Sequence, residues 1–329
     1  MSAPPPSFRP RGAATGIGGM PQADPAEAVD AAVGACPALP FWPTRPLAVP
    51  AEQMIRQWAL GLPGVGDSGH DGPTWVGRER SPGRAALAAE AAGTLDRFLE
   101  VLGSRPAGWL KLQATGPVTL ALELPAGGHR AFELPAARGP LALGYAARIR
   151  SVVTRVREAL PAWKVLLVLD EPSLASPAVA GRPELAVELW RGLGATGADL
   201  TGLHCCATPP WGLVLDLEPQ LVSFDAIRDG DAATDDPAFR RLVESGAAVA
   251  WGLVPADGPA GAVPDPEELA DRLLDLVEWT AGDYLPEVLA RSLVTPTCGL
   301  ASLSGAEAVR RLQVASRAGP IAWDLAGLP

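Results

Sequence analysis

Short apolar runs of β-strand length alternate with helical segments over most of this 329-residue chain. Near-continuous apolar strands separated by helices are typical of a parallel sheet that is covered on both faces. The pattern therefore predicts an α/β fold. The runs predicted to be strands are residues 14–18, 109–114, 165–170, 200–205, 221–224, 249–254 and 293–295. The segments predicted to be helices are residues 84–102, 145–159, 183–193, 266–279 and 305–317.

The number of predicted strands favours a barrel. Seven strands are recognised, and the stretch 39–73 has room for an eighth. We predict a single (β/α)8 barrel of the TIM type over residues 13–329, after a disordered, Pro-rich segment at residues 1–12. A doubly wound open sheet also carries its sites at strand carboxyl ends and stays an alternative. A dinucleotide site is not expected, because residues 15–19 lack the third glycine of the Gly-x-Gly-x-x-Gly pattern.

Composition narrows the classes of partner. The net charge of −10 comes without any cluster of Lys and Arg, which argues against a nucleic-acid partner. No apolar stretch approaches the length of a bilayer span, so we expect a cytoplasmic protein without a membrane partner. The four cysteines do not resemble a disulfide framework and should be reduced there. They are therefore open to thiolate chemistry or metal binding.

Polar residues collect at the carboxyl ends of the predicted strands, the end that carries the active site in α/β barrels. Imidazole and thiolate ligands suit zinc, and three protein ligands leave one coordination position for a substrate. The alternative interpretation is that the cysteines are small core residues. The residues at these strand ends are Asp170, His204, Cys206, Asp225 and Cys298.

Seven short motifs follow the predicted strands. They are Thr-Gly-Ile-Gly-Gly-Met-Pro at 15–21, Gln-Ala-Thr-Gly-Pro-Val-Thr at 113–119, Asp-Glu-Pro-Ser at 170–173, His-Cys-Cys at 204–206, Val-Ser-Phe-Asp at 222–225, Trp-Gly-Leu-Val-Pro at 251–255 and Thr-Pro-Thr-Cys-Gly at 295–299. This set, in this order, resembles the catalytic, carboxyl-terminal barrel of cobalamin-independent methionine synthase over nearly the whole chain. With room for one barrel only, the chain is similar to short members of the uroporphyrinogen decarboxylase and methionine synthase-like superfamily.

The resemblance implies a zinc ion held by His204, Cys206, Asp225 and Cys298. Cys205 occupies the intervening position and is expected to be a spectator. The family has Glu where this chain has Asp225, so this shorter carboxylate could bind zinc directly, through water or not at all. A histidine that the family carries after the strand at 249–254 is absent here, because residues 256–259 read Ala-Asp-Gly-Pro.

The resemblance also implies a site for an amino-acid substrate. Asp170 would bind the substrate ammonium and is the candidate catalytic residue, with Glu171 as a further candidate contact. The alternative for Asp170 is that it caps the next helix.

The opposite end of the amino acid would meet the glycine-rich motif. Backbone groups of Ile17, Gly18 and Gly19 would hold the substrate carboxylate, since glycine permits close approach. Gln113 is a candidate contact on the side of the methyl donor, although its loop could simply need Gly-Pro geometry.

The activity implied is a zinc-dependent methyl transfer to a thiol, with homocysteine converted to methionine, as in methionine biosynthesis. The partners would be this small thiol and a methyl donor, either methyltetrahydrofolate or a methylcorrinoid that is free or carried on a corrinoid protein. Two alternatives stay open. One is a zinc-dependent thiol alkyltransferase with a corrinoid or epoxide donor and a coenzyme M-like acceptor, and the other is a non-catalytic zinc-binding protein.

Overall fold

A computed structural model describes residues 8–77, 86–259 and 263–328. The chain forms ten strands in these ranges. They are β1 (Val65–Asp67), β2 (Pro73–Trp75), β3 (Trp109–Thr115), β4 (Pro125–Ala126), β5 (His129–Arg130), β6 (Lys164–Asp170), β7 (Leu200–Cys205), β8 (Leu221–Asp225), β9 (Ala248–Val254) and β10 (Ser292–Pro296).

Thirteen α-helices accompany the strands in the same ranges. None of them is both long and apolar enough to cross a membrane. They are α1 (Pro25–Ala35), α2 (Met54–Ala59), α3 (Leu95–Gly103), α4 (Pro117–Glu123), α5 (Pro135–Ala159), α6 (Pro177–Ala180), α7 (Pro183–Arg191), α8 (Trp211–Leu217), α9 (Ala226–Asp235), α10 (Pro237–Glu244), α11 (Pro266–Ala281), α12 (Leu285–Ala290) and α13 (Gly305–Leu325).

Six strands form one parallel sheet in the order β3-β6-β7-β8-β9-β10, which curls into a half-barrel. The strands pair with their neighbours along the sheet, and Thr115 of β3, Asp170 of β6 and His204 of β7 stand side by side in register. The carboxyl ends of the strands therefore meet at one edge of the half-barrel. The remaining four strands form two small antiparallel hairpins, β1-β2 and β4-β5.

Two extended segments span the open side of the sheet between β10 and β3. We call these segments, residues 13–20 and 40–44, the arc. Each joins its neighbours through isolated parallel bridges rather than a continuous ladder. The bridges pair Ala14 with Val294, Gly19 with Thr44, and Phe41 with Lys111.

The local sequence explains why the arc is irregular. Pro40 and Pro43 have no N–H group to donate to a ladder, and Gly18 has a φ of +149° that side chains of other residues rarely adopt. The α/β class and the parallel sheet are confirmed. The described residues do not form the predicted closed barrel of eight regular strands, because the arc replaces the strand expected at 14–18 and the eighth strand expected within 39–73.

The other predicted strands agree with the observed ones to within one residue at each end. Of the predicted helices, 145–159 begins earlier, at Pro135, and 84–102 is helical in the α sense only over Leu95–Gly103. Residues 84 and 85 of that prediction lie outside the described ranges. Short helices such as α4 and α8 to α10 were missed, because six to ten residues carry too little periodicity to distinguish them from loops.

The interior of the half-barrel is apolar at the amino ends of the strands and more polar at their carboxyl ends. At the amino ends of the strands, an apolar layer fills the interior, with Leu166, Leu200, Leu221 and Leu293 all buried. Phe8 closes this layer against Trp109, with ring centroids 4.7 Å apart. Residues 1–7 of the segment predicted to be disordered lie outside the described ranges, and packed structure begins by Phe8.

Candidate functional site

A cavity of about 190 Å³ opens at the carboxyl ends of the strands. Its wall includes eight of the ten residues predicted to form the site, and Glu171 and Asp225 are the two that do not line it. The strands contribute Gln113, Asp170 and His204, and the loops after β7 and β10 contribute Cys206 and Cys298. The arc contributes Ile17, Gly18, Gly19 and Thr44. The turn before α2 and α2 itself contribute Glu52, Met54, Gln57 and Trp58.

The thiols of Cys206 and Cys298 interact with each other in this cavity. Their hydrogen bond and burial raise the pKa of Cys206, whereas the same hydrogen bond and the neighbouring His204 lower the pKa of Cys298. These opposite shifts favour the thiolate form at Cys298 over the thiolate form at Cys206. A thiolate is the form of cysteine that binds metals and attacks electrophiles.

Cys205 has a different environment from the cysteine that follows it. Its side chain is fully buried, and its Sγ lies 3.4 Å from the carbonyl oxygen of Ala207. Burial raises the pKa of Cys205 to about 12. It does not line the cavity, which is the position expected of a spectator.

His204 presents one ring nitrogen to the cavity side and holds the other against the sheet. Its Nδ1 lies 2.9 Å from the hydroxyl oxygen of Ser223, its neighbour in register on β8. Its Nε2 is buried and has no hydrogen-bond partner in the described ranges, although the ring is close enough to lower the pKa of Cys298. When Nδ1 donates to Ser223, Nε2 keeps a lone pair that is free to bind a metal.

The donor set fits zinc in chemical type. The same cavity is lined by two interacting thiols and by an imidazole whose Nε2 has no hydrogen-bond partner in the described ranges. Imidazole and thiolate groups are the ligands that zinc prefers. Within residues 8–77, 86–259 and 263–328, however, no three His, Cys, Asp or Glu side chains already form a group that could hold a metal ion. Zinc binding by His204, Cys206 and Cys298 would therefore need at least one of these side chains to rotate.

Asp225 lies outside the cavity and has other contacts. It caps helix α9, where its Oδ1 accepts hydrogen bonds of 3.1 Å from the backbone N–H groups of Ile227 and Arg228. Its Oδ2 is 3.8 Å from the guanidinium of Arg228. The structure thus does not bring Asp225 together with the other three predicted zinc ligands, because the cap turns the carboxylate toward the helix.

Asp170 ends β6 inside the cavity. Its Oδ1 is buried without a hydrogen-bond partner in the described part of the chain. Burial raises the pKa of Asp170 to about 6, an effect that the neighbouring His204 and Lys111 oppose. An unpaired buried carboxylate is costly to maintain unless a ligand completes its interactions.

Glu171 turns away from the cavity and is completely buried. Its two carboxylate oxygens accept hydrogen bonds of 2.9 and 2.7 Å from the backbone N–H groups of Val118 and Thr119 at the start of α4. A Cβ at Gly116 would approach the Glu171 carboxyl carbon to 2.1 Å, so the glycine makes this contact possible. The predicted substrate contact of Glu171 is thus replaced by a structural role at the helix terminus.

The glycine turn of the arc presents backbone groups to the cavity. Gly18 accepts a hydrogen bond from the Thr44 amide through its carbonyl oxygen, and the N–H groups of Gly18 and Gly19 find no acceptor in the described ranges. The side chain of Gln113 packs against Gly18, where an added Cβ would meet it at 2.7 Å. Gln113 donates to the carbonyl oxygen of Trp42, so it ties both segments of the arc together.

The sequence analysis missed Lys111, which lies one pleat below Gln113 on the interior face of β3. Its ammonium is buried and donates a 2.9 Å hydrogen bond to the carbonyl oxygen of Ile17. Burial lowers the pKa of Lys111 to about 8, and Asp170 opposes that effect. The signal was present in the period of two that places Lys111, Gln113 and Thr115 on one face of an otherwise apolar strand.

Comparisons with known proteins bear on the fold. The sequence matches no protein-family model and no curated protein. Among solved structures, the chain is similar to a B12-independent methionine synthase from Shewanella sp. W3-18-1 in complex with selenomethionine, with 16% identity and a TM-score of 0.50 over 70% of this chain and 68% of that one. It is also similar to a methyltransferase from Methanosarcina mazei, with 13% identity and a TM-score of 0.53 over 95% of this chain and 94% of that one. At such identities the likeness is one of fold.

Proposed function

We propose that this protein is a zinc-dependent methyltransferase that transfers a methyl group to the thiol of homocysteine and so forms methionine. The observation that carries the proposal is that one cavity holds a thiol pair with an imidazole, a carboxylate and two backbone amides. Within the described residues, one oxygen of that carboxylate and both amides have no hydrogen-bond partner. These are groups that can recognise the sulfur, the ammonium and the carboxylate of one small amino acid. The fold shared with a methionine synthase and a methyltransferase adds support.

The sulfur end of the site would use His204, Cys206 and Cys298 to hold the zinc ion. A free thiol has a pKa of about 8.5 and is mostly protonated at neutral pH. Bound zinc supplies the means to lower the pKa of an acceptor thiol, so that a thiolate is present at neutral pH. Ser223 fixes the ring of His204 and leaves its Nε2 facing this end of the cavity.

The amino-acid end of the site would use Asp170 and the glycine turn. The Asp170 carboxylate is suited to the substrate ammonium, because its Oδ1 has no hydrogen-bond partner in the described part of the chain and the side chain lines the cavity beside the thiols. The N–H groups of Gly18 and Gly19 are suited to the substrate carboxylate, because neither donates a hydrogen bond to any described residue. Holding both groups orients the acceptor sulfur for in-line displacement, in which a bond forms from sulfur to the methyl carbon as the bond from donor to methyl breaks.

The methyl donor would enter past the wall of the cavity that α2 and the turn before it form. Met54 and Trp58 make this wall partly apolar, with Glu52 and Gln57 beside them. An apolar wall excludes water from the methyl group, which favours transfer to sulfur over hydrolysis. The two solved structures of similar fold do not identify the methyl donor of this chain.

An assay of methyl transfer tests the proposal directly. Purified protein loaded with zinc is incubated with homocysteine and either methyltetrahydrofolate or methylcobalamin, and methionine is measured. We expect product with one of the two donors. Firm zinc binding without product from either donor, and without product from coenzyme M as acceptor, would favour the non-catalytic zinc protein instead.

Replacing Asp170 by Asn tests the acceptor. This change keeps the shape of the side chain and removes its charge, so zinc content should stay unchanged while the KM for homocysteine rises about 10- to 100-fold. A thiol without an amino group should respond little. Equal losses with both thiols would assign Asp170 to the integrity of the fold, and unchanged kinetics with homocysteine would exclude an amino-acid acceptor.

A further inference from the structure

The chain contains only two lysines among its 27 Lys and Arg residues, and one of them is buried inside the half-barrel. Nearly all basic residues of the chain are arginines, yet residue 111 is a lysine whose exposed fraction is 3%. The other, Lys164, lies on the adjacent strand, is about half exposed and pairs with Asp199 at 3.2 Å. Because a buried ammonium is costly and Arg is this chain's usual cation, Lys111 calls for an explanation in its contacts.

The contacts of Lys111 point to the arc. Its Nζ lies 2.9 Å from the carbonyl oxygen of Ile17 and 3.4 Å from Oε1 of Gln113. Its backbone N–H donates to Pro40, and its carbonyl oxygen accepts from Trp42. One residue therefore holds both segments of the arc, the first through its side chain and the second through its backbone.

The position of the Ile17 carbonyl determines where the next amides point. The peptide that joins Ile17 to Gly18 is planar, so fixing its oxygen fixes the direction of the Gly18 N–H on the opposite side of the bond. Gly18 has a φ of +149° and no ladder to hold it. In a regular strand, paired neighbours would fix this peptide, whereas in the arc the ammonium of Lys111 performs that role.

We propose that Lys111 is the positioning residue of the substrate-carboxylate subsite, where its ammonium holds the Ile17–Gly18 peptide so that the glycine amides face the cavity. The inference rests on the proposed function in naming an amino-acid carboxylate as the ligand. A compact ammonium suits this place, since it donates along three directions in little space.

The test compares Lys111→Met with Lys164→Met, which makes the same substitution at an exposed position of the adjacent strand. In Lys111→Met, calorimetry should show a rise of about 10- to 100-fold in the Kd of L-methionine, the loss expected for one charged hydrogen bond. The KM of homocysteine should rise by a similar factor with kcat changed less than about twofold, and a thiol without a carboxylate should be unaffected. Lys164→Met should match the unmodified protein.

A second measurement separates this inference from the proposed function. Amide hydrogen exchange at Thr44 and Met20, whose N–H groups donate to the carbonyl oxygens of Gly18 and Thr44 in the arc, should without any ligand be at least about tenfold faster in Lys111→Met than in Lys164→Met. If the unmodified protein neither binds nor methylates amino-acid thiols, the proposed function is wrong, and exchange alone decides the role of Lys111. Unchanged exchange, or unchanged affinity for L-methionine, overturns the inference. Should Lys111→Met fail to fold, Lys111→Gln is judged by the same exchange measurement.

Discussion

The six-stranded sheet and the arc contribute different kinds of chemical groups to the same cavity. The sheet contributes side chains, such as His204 and Asp170, from strands whose backbone groups are already paired. The arc contributes backbone amides, because its isolated bridges leave the N–H groups of Gly18 and Gly19 without an acceptor among the described residues. Where backbone groups are paired in a ladder, only side chains can bind a ligand. Where the backbone is irregular, as in the arc, its own N–H groups can bind the ligand.

Substitutions in the sheet and in the arc should therefore have different effects. Variants of the proposed zinc ligands, and of the sheet residue that supports one of them, should change the chemistry at sulfur for every thiol acceptor. Variants of the arc should change the recognition of acceptors that carry a carboxylate. Four substitutions test whether the two regions divide the work in this way.

The largest effect is expected from Cys298→Ser, in the loop after β10. Removing the thiolate takes away one of three proposed zinc ligands, so bound zinc should be largely lost and methyl transfer should fall by more than about 100-fold for all thiols. Metal analysis and the methyl-transfer assay measure the two quantities. The matched control is Cys205→Ala, at the buried cysteine outside the cavity, which should keep its zinc. Full metal and activity in Cys298→Ser would remove the thiol pair from the mechanism.

Gly18→Ala should have the next largest effect and is specific to the arc. The added Cβ meets the side chain of Gln113 at 2.7 Å, at a φ that alanine tolerates poorly. The strain should cost about 1–3 kcal/mol of stability, and displacement of the amides should lower kcat/KM for homocysteine about 100-fold. Zinc content should be retained. Gly34→Ala, in α1 with no atom within 4 Å of an added Cβ, is the control. Loss of zinc in Gly18→Ala would mean that the two regions do not act separately.

Ser223→Ala tests whether the Ser223 hydroxyl orients the imidazole of His204. Without the 2.9 Å contact to Nδ1, the ring of His204 loses its fixed orientation. Zinc affinity should therefore fall about 10-fold, in line with other residues that orient metal ligands. Competition with a chelator gives the affinity, and Ser151→Ala at an exposed position of α5 serves for comparison. An unchanged affinity would show that the hydroxyl does not orient the ring.

The smallest effect is expected from Asp225→Ala, which separates a helix cap from a metal ligand. Loss of the cap on α9 should lower the free energy of unfolding by about 1 kcal/mol, while zinc affinity and methyl transfer stay unchanged. Denaturant unfolding and metal titration give these values. Asp225→Asn can still cap the helix and should recover most of the stability. A clear fall in zinc affinity in Asp225→Ala would restore this carboxylate to the metal site.

The order of residues along the chain was sufficient to predict the parallel sheet and eight of the residues that line the cavity. Apolar runs separated by helices require a buried parallel sheet, and parallel strands bring their carboxyl ends to one edge. That geometry alone predicts that residues as distant in sequence as Asp170, His204 and Cys298 share a site. Six strands were located to within one residue for the same reason, since each is apolar along its length.

Only the tertiary structure decided which strand-end residues face the cavity and how the sheet is completed. Asp225 and Glu171 both follow strands, yet local N–H groups at helix starts engage their carboxylates. Sequence does not show which acceptor a carboxylate will find, because that depends on the direction in which the chain leaves the strand. The role of Lys111 has the same origin. A buried ammonium becomes useful only when a distant carbonyl, here that of Ile17, comes within hydrogen-bond distance, and no local pattern encodes that approach.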